Sequence, residues 1–160
     1  MKLMTMGYEG ITNQNFFAVL SKNKVQTIVD VRELPISRKA GFSKASLALA
    51  ALNYKMHYVH MPALGCPKEI RHDYRADDNW TRYTRRFMPY LNTQKAAISE
   101  LVELVSRERC CLVCFEADPN FCHRSFVAEK AAAVGGLSLA VVHLTAPAPE
   151  KVARLRPTPA

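Results

Sequence analysis

The fold that the sequence predicts is a single three-layer α/β domain, with a mainly parallel sheet of about five strands and helices on both faces. Three observations lead to it. Apolar runs of strand length alternate along the chain with stretches of helical periodicity, and that alternation belongs to parallel sheets with crossover helices. Runs such as TIVDV and CCLVCF are almost continuously apolar, as strands covered on both faces must be. The length of 160 residues, 49% of them hydrophobic, is enough for one sizeable core and leaves no room for a second.

The strands are expected at LMTM (3–6), VQTIVDV (25–31), MHYVHM (56–61), CCLVCF (110–115) and LAVVHL (139–144). Between the first two, TNQNFFAVLSKN has helical spacing, with Thr12 or Asn13 as N-cap. The next helix is SKASLALAALN, capped by Ser43; a long helical region runs from about Trp80 to Arg107; the last helix, RSFVAEKAAAV, is closed by Gly135-Gly136. Two connections, RELPISRKAGFSK and PALGCPKEIRHDYRADDN, are longer than structure alone needs, and both are read as ordered binding loops. The domain is expected over residues 1–144, followed by a proline-rich, flexible tail over 145–160.

No stretch approaches the roughly 18 consecutive apolar residues of a membrane span, and the first residues lack a cleavage-site pattern. Five cysteines without a regular spacing do not form a secreted disulfide framework. A cytoplasmic protein with no membrane partner is the expectation. Net charge is +8, and eleven Lys/Arg stand against five Asp/Glu between Arg32 and Arg86. That field favours a small anionic ligand as partner, with nucleic acid a further possibility, although a merely solvated basic surface would have the same composition.

In an open parallel sheet, ligands bind outside the carboxyl ends of the strands, so the residues after each strand nominate the site. After the first strand come Gly7, Tyr8 and Gly10; the second ends in Asp30-Val31-Arg32; His60 and Leu64-Gly65 follow the third; Glu116 and Cys122-His123-Arg124 follow the fourth. Asp30 and Arg32 alternate toward one face, and a charge in such a strand demands a partner, for which Arg32, Arg38 or Arg124 are available. Asp118 can cap a turn with Pro119 at its first position, which puts Cys122 where a helix dipole and Arg124 lower a thiol pKa. Three roles compete for Cys122: a nucleophile, a metal ligand with Cys114 and His123, and a structural cap. The seven residues between Cys114 and Cys122 and the missing CxxC make poor zinc spacing, so no metal ligand is assigned. Trp80, Tyr83, Phe87 and Tyr90 recur at helical spacing with arginines between them, the pattern of an amphipathic helix more than of a nucleic-acid stacking surface.

TMGYEG, VDVRELPISRKAGFSKASL, YVHMPALG and CFEADPNFCHRSFVAE with VVHL behind it occur in this order over about residues 4 to 144. Together they resemble the family filed as domain of unknown function 488. The resemblance implies a compact α/β domain and supplies no reaction. Its motif positions here are Gly7, Tyr8, Asp30, Arg32, Arg38, Gly41, Phe42, Ser43, His60, Leu64, Gly65, Glu116, Cys122, His123 and Arg124. Cys66-Pro67 stands where family members often have a second glycine after Leu-Gly.

The expectation drawn from all of this is a site that binds, and acts on, a small anionic molecule such as a nucleotide. Arg32, Arg38 and Arg124 hold the anion; Gly7, Tyr8, Phe42, Ser43 and His60 complete the binding set. Glu116 or Asp30 serves as base, and Cys122 or His123 attacks or polarises. A non-enzymatic nucleic-acid-binding or regulatory module, or a Cys/His metal-binding domain, is the alternative. These residues specify neither a cofactor nor an oligomeric state.

Overall fold

The structure is a computed structural model and describes residues 1–147. Five parallel strands form one sheet in the order β3-β2-β4-β1-β5: β1 Lys2–Gly7, β2 Thr27–Asp30, β3 His57–His60, β4 Cys110–Cys114 and β5 Ala140–His143. Every residue of β2 and β4 is buried, and β1 is buried beyond its first residue. These are the three inner strands, which is why their sequences are continuous apolar runs. The edge strands β3 and β5 are half-exposed and carry His57, His60 and His143.

Six α-helices cover the two faces. On one, Phe16, Phe17 and Leu20 of α1 (Asn13–Lys22) and Leu47 and Ala51 of α2 (Lys44–Asn53) pack on Met4, Met6, Ile28, Cys111 and Val113. On the other, α3 (Lys68–Asp77), α4 (Trp80–Thr93), α5 (Lys95–Arg107) and α6 (His123–Gly135) pack on Leu3, Val29, Cys110 and Leu112. The three-layer α/β architecture is therefore the observed one, with all neighbouring strands parallel. No helix among the described residues is long and apolar enough to cross a membrane.

Local chemistry accounts for the helix boundaries, with three differences from the sequence reading. Thr12 Oγ1 accepts from the Asn15 amide, so Thr12 and not Asn13 is the cap of α1. Ser43 holds the N-cap position of α2 without capping it: its hydroxyl donates to the Ser37 carbonyl and accepts from the Ser37 amide, fastening the long loop instead. The region from Trp80 to Arg107 is two helices, broken at Gln94. The connection after β3 is not a loop throughout, since Pro62–Leu64 form a 3-10 turn and residues from Lys68 form α3. Asp73 and Asp77 of α3 pair with Arg82 of α4, and Asp73 also pairs with Arg86, so two of the arginines on the aromatic helix fix α3 in place. Of the proline-rich tail, residues 148–160 lie outside the described residues.

β1 and β4 are central neighbours, yet the chain leaves them in opposite directions, through α1 on one face and α6 on the other. This is the switch point at which open α/β sheets leave a crevice. Gly7 pairs with Cys114 and Asp30 with Val113, so three inner strands end on nearly one line below it.

Candidate functional site

A cleft of about 470 Å³ opens at that switch point. Its floor comes from the end of β4 and the start of α6, and its walls come from the loop after β2, from α3 and from α4. The floor depends on how closely the β1 and β4 loops approach. A Cβ on Gly7 would lie 1.8 Å from the Glu116 carbonyl oxygen, so only glycine lets the two backbones meet. Arg124, fully buried, donates to that same carbonyl, to the Ala117 carbonyl and to Thr5 Oγ1. Gly7 and Arg124 between them fix the backbone of Glu116, and with it the direction of its carboxyl group.

Glu116 Oε2 accepts from both Cys114 Sγ (3.3 Å) and Cys122 Sγ (3.2 Å). His123 Nε2 lies 2.7 Å from the Val31 carbonyl and must donate to it, which leaves Nδ1 facing the sulfurs of Cys114 (3.8 Å) and Cys122 (4.0 Å). Phe87 packs edge-on against the imidazole and holds its ring. The two thiols and the imidazole are all buried.

This crowding separates the proton affinities. Burial raises the Cys122 thiol, but the hydrogen bond from Cys114 and the neighbouring His123 and Arg124 outweigh it and hold Cys122 well below the ordinary thiol value. Cys114 moves far upward, first through its hydrogen bond to Cys122 and then through burial and Glu116. Burial and then Cys122 raise Glu116; burial lowers His123, but its contact with Cys122 wins and raises it. The remaining cysteines move the other way from Cys122: burial pushes Cys66 up to about 11 and Cys110 up to about 12, and raises Cys111 as well.

Above the floor, Trp80 stacks on Tyr83 at 4.6 Å, while Phe115, Phe121, Leu34 and Ile36 expose apolar surface at the rim. Arg38 and Arg75 also line the cleft, are exposed, and make no side-chain hydrogen bond or ion pair among the described residues. Arg71, on the same wall, pairs with Glu33 at 3.1 Å.

The structure thus brings Glu116, Cys122 and His123 together, with Tyr8, Arg32 and Arg38 in the lining. It does not bring the other nominated residues to the cleft. Asp30, fully buried, receives bidentate hydrogen bonds from Arg32 and a third from the Tyr58 hydroxyl, so it is not placed to act as a base. Arg32 reaches the cleft wall, but four of its five N–H groups are engaged by Asp30, the Tyr8 hydroxyl and the Phe42 carbonyl, which removes it as an anion clamp. Arg124 is fully buried with each guanidinium nitrogen hydrogen-bonded, and it does not line the cleft. Phe42 is fully buried, stacked on Tyr8 at 4.3 Å; Ser43 fastens the loop; His60 Nε2 donates to the Arg32 carbonyl. Gly7 serves the loop approach. Asp30, Phe42, Ser43, His60, Arg124 and Gly7 position the site from behind.

Sequence reasoning missed Cys66, Arg71 and Arg75 and the aromatic rim as cleft residues. The readable signal was their location in an over-long connection and on the first turn of an arginine- and aromatic-rich helix.

The model of the domain of unknown function DUF488 matches residues 12–131. No curated protein and no solved structure matches the chain.

Proposed function

The chain belongs to the DUF488 family, and we propose that its switch-point cleft binds a small anionic ligand with a planar ring, of the nucleoside phosphate class, above the thiol–imidazole–carboxyl floor. The observation that carries this reading is the pairing of two unengaged arginines, Arg38 and Arg75, with an exposed aromatic rim on one cavity. A volume of about 470 Å³ suits a mononucleotide, since small-molecule clefts range over roughly 300–1,000 Å³. The arginines supply planar, multiply donating partners for a phosphate, and the exposed ring of Phe121 supplies a face for a base. Exposed apolar side chains around a cavity support the same assignment. The net charge of +8 steers an anion toward the cleft. Glu116, Cys122 and His123 lie beneath the bound molecule, where a reacting group would meet them.

Trp80 is the only tryptophan, so its fluorescence reports on the cleft. Titration with nucleoside mono- and diphosphates is expected to give a saturable change. Replacing both Arg38 and Arg75 with glutamine should weaken binding roughly a hundredfold, two charge-assisted hydrogen bonds at about 1.5 kcal/mol each. Absence of any saturable response would end this reading. A response to single-stranded oligonucleotides and not to mononucleotides would replace it with nucleic-acid binding.

A further inference from the structure

We propose that the cleft floor is a zinc site, with Cys114 Sγ, Cys122 Sγ and His123 Nδ1 as ligands and the fourth corner open to the cleft beside the Glu116 carboxyl group. This goes beyond ligand binding in the cleft and stands without it.

The geometry is the first support. Zn–S bonds of about 2.3 Å and Zn–N or Zn–O bonds of about 2.0–2.2 Å give a tetrahedron with edges of roughly 3.5–3.8 Å. Here the sulfur–nitrogen separations are 3.8 and 4.0 Å and the sulfur–oxygen separations 3.3 and 3.2 Å. All three Cys/His ligand atoms lie within 4.8 Å of one another. The sulfur–nitrogen edges need only a few tenths of an ångström of movement, and the two sulfurs lie within 4.8 Å of each other.

The second support is the outer shell. His123 donates its Nε2 proton to the Val31 carbonyl, the arrangement that turns Nδ1 toward a metal and fixes the tautomer. Val31 is itself held to β4 through its amide and the Val113 carbonyl. Gly7 and Arg124 hold the Glu116 backbone, and Phe87 holds the imidazole ring.

Charge is the third. Two thiols and a carboxyl group converge below the protein surface, and the buried arginines nearby are engaged elsewhere: Arg124 with Thr5 and two carbonyls, Arg32 with Asp30. A dication is what such a donor set lacks. Loading would balance as follows: the protons held on the two sulfurs and on His123 Nδ1 leave to solvent, and the ion takes two thiolates and one neutral imidazole, leaving no net charge. Two sulfurs and a nitrogen in tetrahedral array select zinc over magnesium, calcium or manganese. The fourth corner faces the cleft, as in sites that exchange one ligand with a bound molecule. The chain spacing, Cys114 with Cys122-His123, gave a poor zinc pattern because the ligands come from a strand end and a helix start and not from a knuckle.

The test uses the full chain without a histidine tag, purified without chelator and kept reduced with a phosphine. Elemental analysis after zinc loading should find one equivalent per chain. Cys122→Ser and Cys114→Ser should hold less than a tenth of an equivalent, whereas Cys110→Ser, buried away from the cluster, should keep the full amount. Cobalt(II) loading should give the visible bands of a tetrahedral site together with sulfur-to-cobalt charge transfer, and both should be absent in Cys122→Ser. Alkylation mapping should find Cys122 protected until a chelator is added. A folded chain that retains no zinc or cobalt overturns the proposal, as does metal retained equally by Cys114→Ser and Cys122→Ser, or a Cys114–Cys122 disulfide in protein quenched directly from cells. No readout requires a cleft ligand, so the cleft proposal stands or falls separately.

Discussion

Arg124→Ala is expected to lose about 3 kcal/mol or more of folding stability, measured by urea denaturation, because three acceptors lose their donor at once at roughly 1 kcal/mol each before the cavity is added. The guanidinium is fully buried and bridges Thr5 Oγ1 of β1 to the Glu116 and Ala117 carbonyls. Arg124→Lys should recover less than half of the loss, since one ammonium cannot span the three acceptors with the geometry of a planar fork. A variant as stable as the parent that had lost affinity for anions would return Arg124 to the role the sequence suggested, that of an anion clamp.

Asp30→Ala should be similarly severe, about 3–5 kcal/mol, because it leaves the Arg32 guanidinium buried without a counter-charge. The loss also frees the Tyr58 hydroxyl and loosens Arg32 against Tyr8 and Phe42, which form the cleft's back wall. Replacing the pair together, Asp30→Ala with Arg32→Met, should recover most of that stability, since the cost lies in the unpaired charge and not in the missing contact. A double-mutant cycle by urea unfolding reads the coupling. Strictly additive losses would contradict the pairing, and a stable Asp30 variant with abolished turnover would restore Asp30 as a catalytic group.

These two arginines mark where reading the sequence stopped. The sheet was legible because β2 and β4 are buried on both faces and therefore written as uninterrupted apolar runs. The convergence of Glu116, Cys122 and His123 was legible because parallel strands all end on one edge. Whether a guanidinium is free or engaged has no sequence signal: Arg32 and Arg124 are satisfied by backbone carbonyls and side chains supplied by other segments, whereas Arg38 and Arg75 have no such partner among the described residues. α3 was hidden because KEIRHDYRAD is almost wholly polar and buries only Ile70; ion pairs with α4 hold it, and those appear only once the two helices are side by side. Cys114 was read as a buried strand residue and a possible metal ligand. It is the last residue of β4 and part of the cleft floor.

The cleft itself is tested most directly by a crystal structure of the chain soaked with a nucleoside monophosphate. The account predicts the phosphate within hydrogen-bond distance of Arg38 and Arg75, with the base against Phe121 and the molecule above Glu116 and Cys122. Density for the ligand on another surface with the cleft empty, or a phosphate reaching Arg124 in place of the rim arginines, would contradict it.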